Sequence, residues 1–219
     1  MKILLLSTEE FSGAGKAAGK IKCALNKLNI TCDHKVLLRN KKNLNLKDKG
    51  KILIYKLKIK FYSFMGKVSG KDRNDFQSLS MFPTNLSNKI NKSDYDIIHL
   101  TWINELLNIE DIGRIKKPIV WTLHDMWAFC GAEHYTNDNR WREGYNTNNR
   151  PSYENGFDLN KWTWRRKQKY WKNPIQIIAT SKWLSDCVKE SKLMSHWPLS
   201  LISTTLNTES FKPMDKKIA

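Results

Sequence analysis

The run Thr122-Leu123-His124-Asp125-Met126-Trp127 holds the residue types best suited to chemistry. It closes the apolar segment Pro118–Leu123, which reads as a strand. A histidine just past a strand end projects into the space beyond the sheet. There its imidazole can donate or accept a hydrogen bond with a substrate hydroxyl. Asp125 can fix the tautomer of that imidazole or hold a sugar hydroxyl itself. The plain alternative for His124 is a structural histidine satisfied by backbone. His99 ends a second apolar segment, Asp96–Leu100, and is expected in the core beneath the site.

Ser12-Gly13-Ala14-Gly15 lies between an apolar run, Lys2–Leu6, and an amphipathic stretch with Ile21, Ala24, Leu25 and Leu28 at helical spacing. Glycines there let backbone approach a ligand, and a helix start offers unpaired N–H groups to an anion. The loop has no Gly-Lys-Ser/Thr ending and is not a full G-x-G-x-x-G. A tight turn with close strand–helix packing uses the same glycines.

Glu133, His134 and Tyr135 sit among Trp127, Phe129, Trp141, Tyr145, Tyr153, Trp162 and Trp164. Flat rings beside Asp, Asn and Arg suit carbohydrate, and equally nucleic-acid bases. Aromatic packing that holds a long loop together is the structural alternative. His124, Glu133 and His134 lack H-E-x-x-H spacing, so no metal is expected.

The elements that must position these residues follow an α/β rhythm. Strands are expected at 2–6, 33–38, 96–100, 118–123, 175–179 and 199–203. Helices are expected at 17–28, 105–112, 162–171 and 181–191, the last capped by Ser181. Residues 124–160 read as irregular. That is long for a connection and is typical of functional or disordered loops. The pattern predicts a Rossmann-like, doubly wound parallel sheet, in which ligands lie beyond the strand carboxyl ends. Ser7–Gly15, Thr101–Glu105, His124–Tyr135 and Thr180–Lys182 are the segments that topology brings there.

The 219 residues carry 38 Lys and Arg against 21 Asp and Glu, a formal charge of +17, which predicts a polyanionic partner. An apolar content of 40% excludes a disordered chain. Residues 39–73 concentrate basic charge, and within them Leu57–Phe61 alternates apolar and basic, so a strand competes with a basic amphipathic helix. Arg165–Lys169 is a second basic cluster. No run is long and apolar enough to span a bilayer. Four cysteines without C-x-x-C spacing point to a reduced, cytoplasmic protein.

These stretches in order, KILLLSTEEFSGAGKAA, SLSMFPTNLSNKINKSDYDIIHLTWIN, KPIVWTLHDMWAFCGAEHY, IIATSKWLSDCVKESKL and TLNTESFKP, resemble the amino-terminal domain of GT-B glycosyltransferases. The likeness is to retaining family 4, of the colanic-acid and capsular-polysaccharide biosynthesis type. It spans residues 2–213 and implies an acceptor-side domain over 1–206, with a hinge over 207–219 toward a donor-binding domain. That domain would lie in the same chain or a separate subunit. The resemblance further implies sugar transfer from a nucleotide-sugar co-substrate, with no other cofactor, to a glycan or lipid-linked glycan; the acceptor side alone would be inactive. His124 and Asp125 take catalytic positions, and Gly13, Ala14 and Gly15 the donor-phosphate loop. Trp102, Glu105, Trp127, Glu133, His134 and Ser181 become acceptor-binding candidates. Relatives of this type often carry cysteines in the loop after HDMW. Here Glu133 takes the first such place and RWREGYNTNNRPSY has none. The basic surface would then meet an anionic membrane at the inner face of the plasma membrane. A nucleic-acid-binding module and a folded but inactive gene product are the competing readings. No RNP, helix-turn-helix or zinc pattern supports the former, and an exposed apolar patch around 200–215 would mark the latter.

Overall fold

The computed structural model describes residues 1–39, 44–69, 77–204 and 212–213. The hinge expected over 207–219 therefore lies outside the described residues, apart from 212–213.

Six strands form one sheet: β1 (Lys2–Glu9), β2 (Thr31–Leu38), β3 (Ile97–Leu100), β4 (Ile119–Leu123), β5 (Gln176–Ala179) and β6 (Leu199–Leu201). Their order is β2-β1-β3-β4-β5-β6 and every pairing is parallel. The chain leaves β1 toward β2 and returns on the other side to β3, so winding reverses at β1/β3. This is the doubly wound, Rossmann-like arrangement expected from the pattern, and the reversal opens a crevice at the carboxyl ends.

Side chains alternate across the sheet. Leu4, Leu6, Ile98, Leu100, Trp121, Leu123, Ile177 and Ala179 face the larger core. Ile3, Leu5 and Cys32 face the other way, against Ala18, Ile21 and Leu25 of α1 (Gly13–Lys27). α1 begins earlier than its apolar periodicity suggests because Ser12 caps it, with Oγ accepting from Gly15 N at 3.2 Å. Gly15 is required sterically: a Cβ there would stand 1.9 Å from the Glu9 carbonyl oxygen. Gly13 meets no such obstacle.

Residues 46–68 settle the strand-or-helix question as a 23-residue helix, α2 (Leu46–Val68), capped by Asn45. The five-residue alternation loses to a longer helical period. Tyr62 and Gly66 are buried, with Ile59 and Met65 packed beside Tyr62 and Leu79. Lys41, Lys42, Lys71 and Arg73 of the basic segment lie outside the described residues. After α3 (Leu86–Asn91), the helix expected at 105–112 is largely absent: Glu105 turns the chain with φ +61°, and only α4 (Ile109–Gly113) is helical, capped by Asn108.

The segment 124–160 is a packed subdomain and not the open loop its composition suggests. Phe129, Trp141, Tyr145 and Trp127 are buried in the main core. Around α5 (Arg140–Glu143) the fully buried Arg140 ties the segment together through ion pairs to Glu154 and Asp158, with its guanidinium 4.5 Å from the Tyr145 ring centre. Asp158 then caps α6 (Leu159–Tyr170), three residues before the predicted start. Ser181 caps α7 (Lys182–Glu190) as expected, accepting from Leu184 N at 3.2 Å.

Candidate functional site

Hydrogen bonds weld the strand ends into one platform. Thr8 N donates to the Trp102 carbonyl at 2.7 Å, Thr101 N to Leu6 at 3.1 Å, and Thr180 Oγ1 to Leu123 at 3.1 Å. On the α1 side of the sheet a cavity of about 220 Å³ is lined by His99, Thr122, His124, Lys20, Thr180 and Ile202. His124 sits just past β4, as strand-end reasoning requires. Its ring lines this cavity, and its Nε2 is buried without a hydrogen-bond partner. Burial lowers its pKa below the usual imidazole value, against the opposing charge of Asp125. His99 pairs with Thr122 Oγ1 at 2.8 Å, and burial, then the neighbouring His124, push it down to about 4. Both imidazoles are therefore mainly neutral near pH 7. A neutral ring keeps one acceptor and one donor nitrogen for hydroxyl chemistry.

At the rim, Tyr135 donates its hydroxyl to the His124 carbonyl at 3.1 Å and stacks on Trp183, with ring centres 6.3 Å apart and planes at 24°. Tyr135 is 62% and Trp183 54% exposed, so this pair offers aromatic faces to solvent beside His124. Trp183 carries no motif in the sequence; its place in the first turn of α7, after the Ser181 cap, is the signal that finds it.

Asp125 departs from expectation. It does not fix His124. Its Oδ2 accepts from Trp102 Nε1 at 3.0 Å and from His134 Nδ1 at 2.6 Å, while Oδ1 accepts from Trp127 N at 3.0 Å. Burial works to raise its pKa, but the bonds from His134, Trp127 and Trp102 together hold it below the ordinary carboxylate value. His134 Nε2 meets Ser78 Oγ at 2.7 Å. Ser78, His134 and Asp125 thus stand in the order of a hydrolytic triad. Ser78 has no exposed surface, and the cavity of about 20 Å³ beside His134 is too small for a substrate carbonyl. The arrangement is a polar clamp that docks residues 125–134 on residue 78. Trp127, stacked on His134 at 6.4 Å and only 4% exposed, belongs to the same clamp.

The other acceptor-binding candidates are engaged within the fold as follows. Glu105 accepts from the Tyr62 hydroxyl at 2.8 Å and pairs with Lys58 at 3.3 Å; it braces α2 against the β3 end. Glu133 lies in the core and accepts from the Tyr145 hydroxyl. Trp102 is half-buried and committed to Asp125 through its indole N–H. Ser181 is spent as a helix cap. Gly13 and the half-buried Ala14 lie in the exposed first turn of α1, while Gly15 answers to packing against Glu9.

Lys167 was hidden inside a basic cluster that reads as a solvated face. It is fully buried, and its ammonium donates to the carbonyls of Trp127, Cys130 (3.0 Å) and Gly131 (2.7 Å), 4.0 Å from the centre of the Trp127 ring. Three donors meet three acceptors, which fixes the turn after His124. Burial pushes its pKa down to about 7, against the raising influence of Cys130, Glu133 and Asp125. Among the described residues no group of three His, Cys, Asp or Glu side chains could hold a metal ion.

No protein-family model matches this chain, and no curated protein matches it either.

Proposed function

We propose that this chain forms the acceptor-side domain of a retaining glycosyltransferase. In that reading it holds a glycan or lipid-linked glycan while a nucleotide-sugar, carried on a second Rossmann-like domain, supplies the sugar. The observation that carries it is the exposed Tyr135–Trp183 pair beside the neutral, cavity-lining His124, at the carboxyl ends of a doubly wound sheet. Sugars are held by this combination: ring faces take the C–H surface, and a neutral imidazole takes a hydroxyl in either sense. The start of α1, with Gly13 exposed and no acidic residue in its first turn, suits a diphosphate approaching from the same edge. Retention of configuration rests on the resemblance alone.

Titration of the full chain with a panel of soluble oligosaccharides tests the reading. One class should bind, and Trp183→Ala should weaken it about tenfold, near 1.4 kcal/mol, without moving the melting temperature. His124→Ala should also weaken it. Absence of binding at millimolar concentration, or equal binding by both variants, refutes the assignment. Tight, steeply salt-dependent capture of random oligonucleotides without sugar binding would favour charge attraction.

A further inference from the structure

Sixteen large apolar side chains stay exposed among the described residues, and seven lie on α2. Six of these, Leu46, Leu53, Leu57, Phe61, Phe64 and Val68, follow one another at intervals of 7, 4, 4, 3 and 4. On a helix of 3.6 residues per turn that is a single stripe, about 35 Å long for 23 residues. Phe64 is 60% and Leu57 56% exposed. The stripe cannot roll inward. Asp48, Tyr62 and Gly66 occupy the opposite, buried side, and Glu105 pins that side through Tyr62 and Lys58.

Charge surrounds the stripe on both edges. Lys49, Lys56, Lys60 and Lys67, at intervals of 7, 4 and 7, run along one flank; Lys47 and Lys51 start the other. The helix holds one acid, Asp48, which is buried. A second copy of α2 laid on this face would bring lysine rows against lysine rows with no carboxylate between them, so self-association is opposed. A surface with an apolar interior and an anionic boundary satisfies both features at once. No helix of the described residues is long and apolar enough to cross a membrane.

We infer that α2 is a membrane-surface anchor. It lies in the plane of an anionic leaflet, with Leu57, Phe61 and Phe64 at the acyl boundary and the lysine rows among the headgroup phosphates. This goes beyond the sugar-binding reading and stands without it, since it uses none of the residues around His124.

Co-sedimentation of the full chain with phosphatidylcholine vesicles, with and without 30% phosphatidylglycerol, at physiological salt is the test. Partitioning should favour the anionic vesicles at least tenfold. Leu57→Ser with Phe64→Ser leaves every charge in place and should lower binding at least tenfold with an unchanged melting temperature. Lys56→Gln and Lys60→Gln should each lower it about fivefold. Equal binding to neutral vesicles would overturn the anionic-leaflet anchor by removing any role for the lysine rows, and serine variants that bind as tightly as the parent would overturn it by leaving charge attraction alone. A dimer in sedimentation velocity that the serine changes dissolve, with no vesicle binding, would assign the stripe to a second copy. Oligosaccharide titration in the absence of lipid separates failure of this inference from failure of the carbohydrate reading.

Discussion

Replacing Lys167 by methionine keeps the aliphatic stem and removes the charge and its donors. The variant leaves the carbonyls of Trp127, Cys130 and Gly131 buried without this partner. Each lost buried bond costs about 1 kcal/mol or more, and relief from burying an ammonium offsets part of the sum. A net loss of about 2 kcal/mol follows, or roughly 4–8 °C in melting temperature for a chain of this size. The pH dependence gives a second readout. Folded Lys167 releases its proton at about 7, against 10.5 for an ordinary lysine. Between those values the unfolded chain binds the extra proton, so the native protein gains stability as pH rises. From pH 7 to 8.5 the gain is on the order of 1 kcal/mol, and Lys167→Met should lose it. Thermal and urea unfolding of both proteins across that range, monitored by tryptophan fluorescence, measures both effects. A variant melting within 1 °C of the parent, with the same pH slope, would show that Lys167 does not hold the turn behind His124 (about half a kcal/mol on the same scale).

Gly15→Ala should destabilise by more than about 2 kcal/mol, because the new methyl meets backbone at Glu9 and Glu10. Gly19→Ala, in open space within α1, should be neutral or stabilise by up to about 1 kcal/mol; equal melting temperatures for the two variants would refute the packing role of Gly15. A fluorophosphonate probe should leave Ser78 unlabelled, and Ser78→Ala should cost about 1 kcal/mol through the lost bond to His134. Stoichiometric labelling, read by mass spectrometry, would mean that the buried triad opens.

The strands were legible because each is a short apolar run with a defined end, and parallel strands buried on both faces need little else. Ser181 and His124 were legible for a local reason, since a cap and a strand-end position depend on a few neighbouring residues. Asp125 was not. Its partners stand nine residues ahead at His134 and 23 behind at Trp102, and only folding of 131–135 back across the sheet end joins them. The aromatic crowd over 127–164 has a composition that serves a sugar platform and a core equally well. Burial placed Trp127, Trp141 and Tyr145 in the core and left Tyr135 outside, to stack on Trp183. α2 misled for the opposite reason: five residues of strand-like alternation lie inside a helix whose buried positions, Asp48 to Gly66, span about five turns.

The amino-acid sequence alone determined the α/β class, the parallel sheet, the Ser181 cap and the place of His124, because each follows from local periodicity or from position relative to a strand end. Which polar groups are free was decided by the tertiary structure. Lys167, Glu105 and His134 are each engaged by groups distant along the chain, whereas Nε2 of His124 keeps no partner. A buried side chain must find its hydrogen bonds wherever the fold brings them.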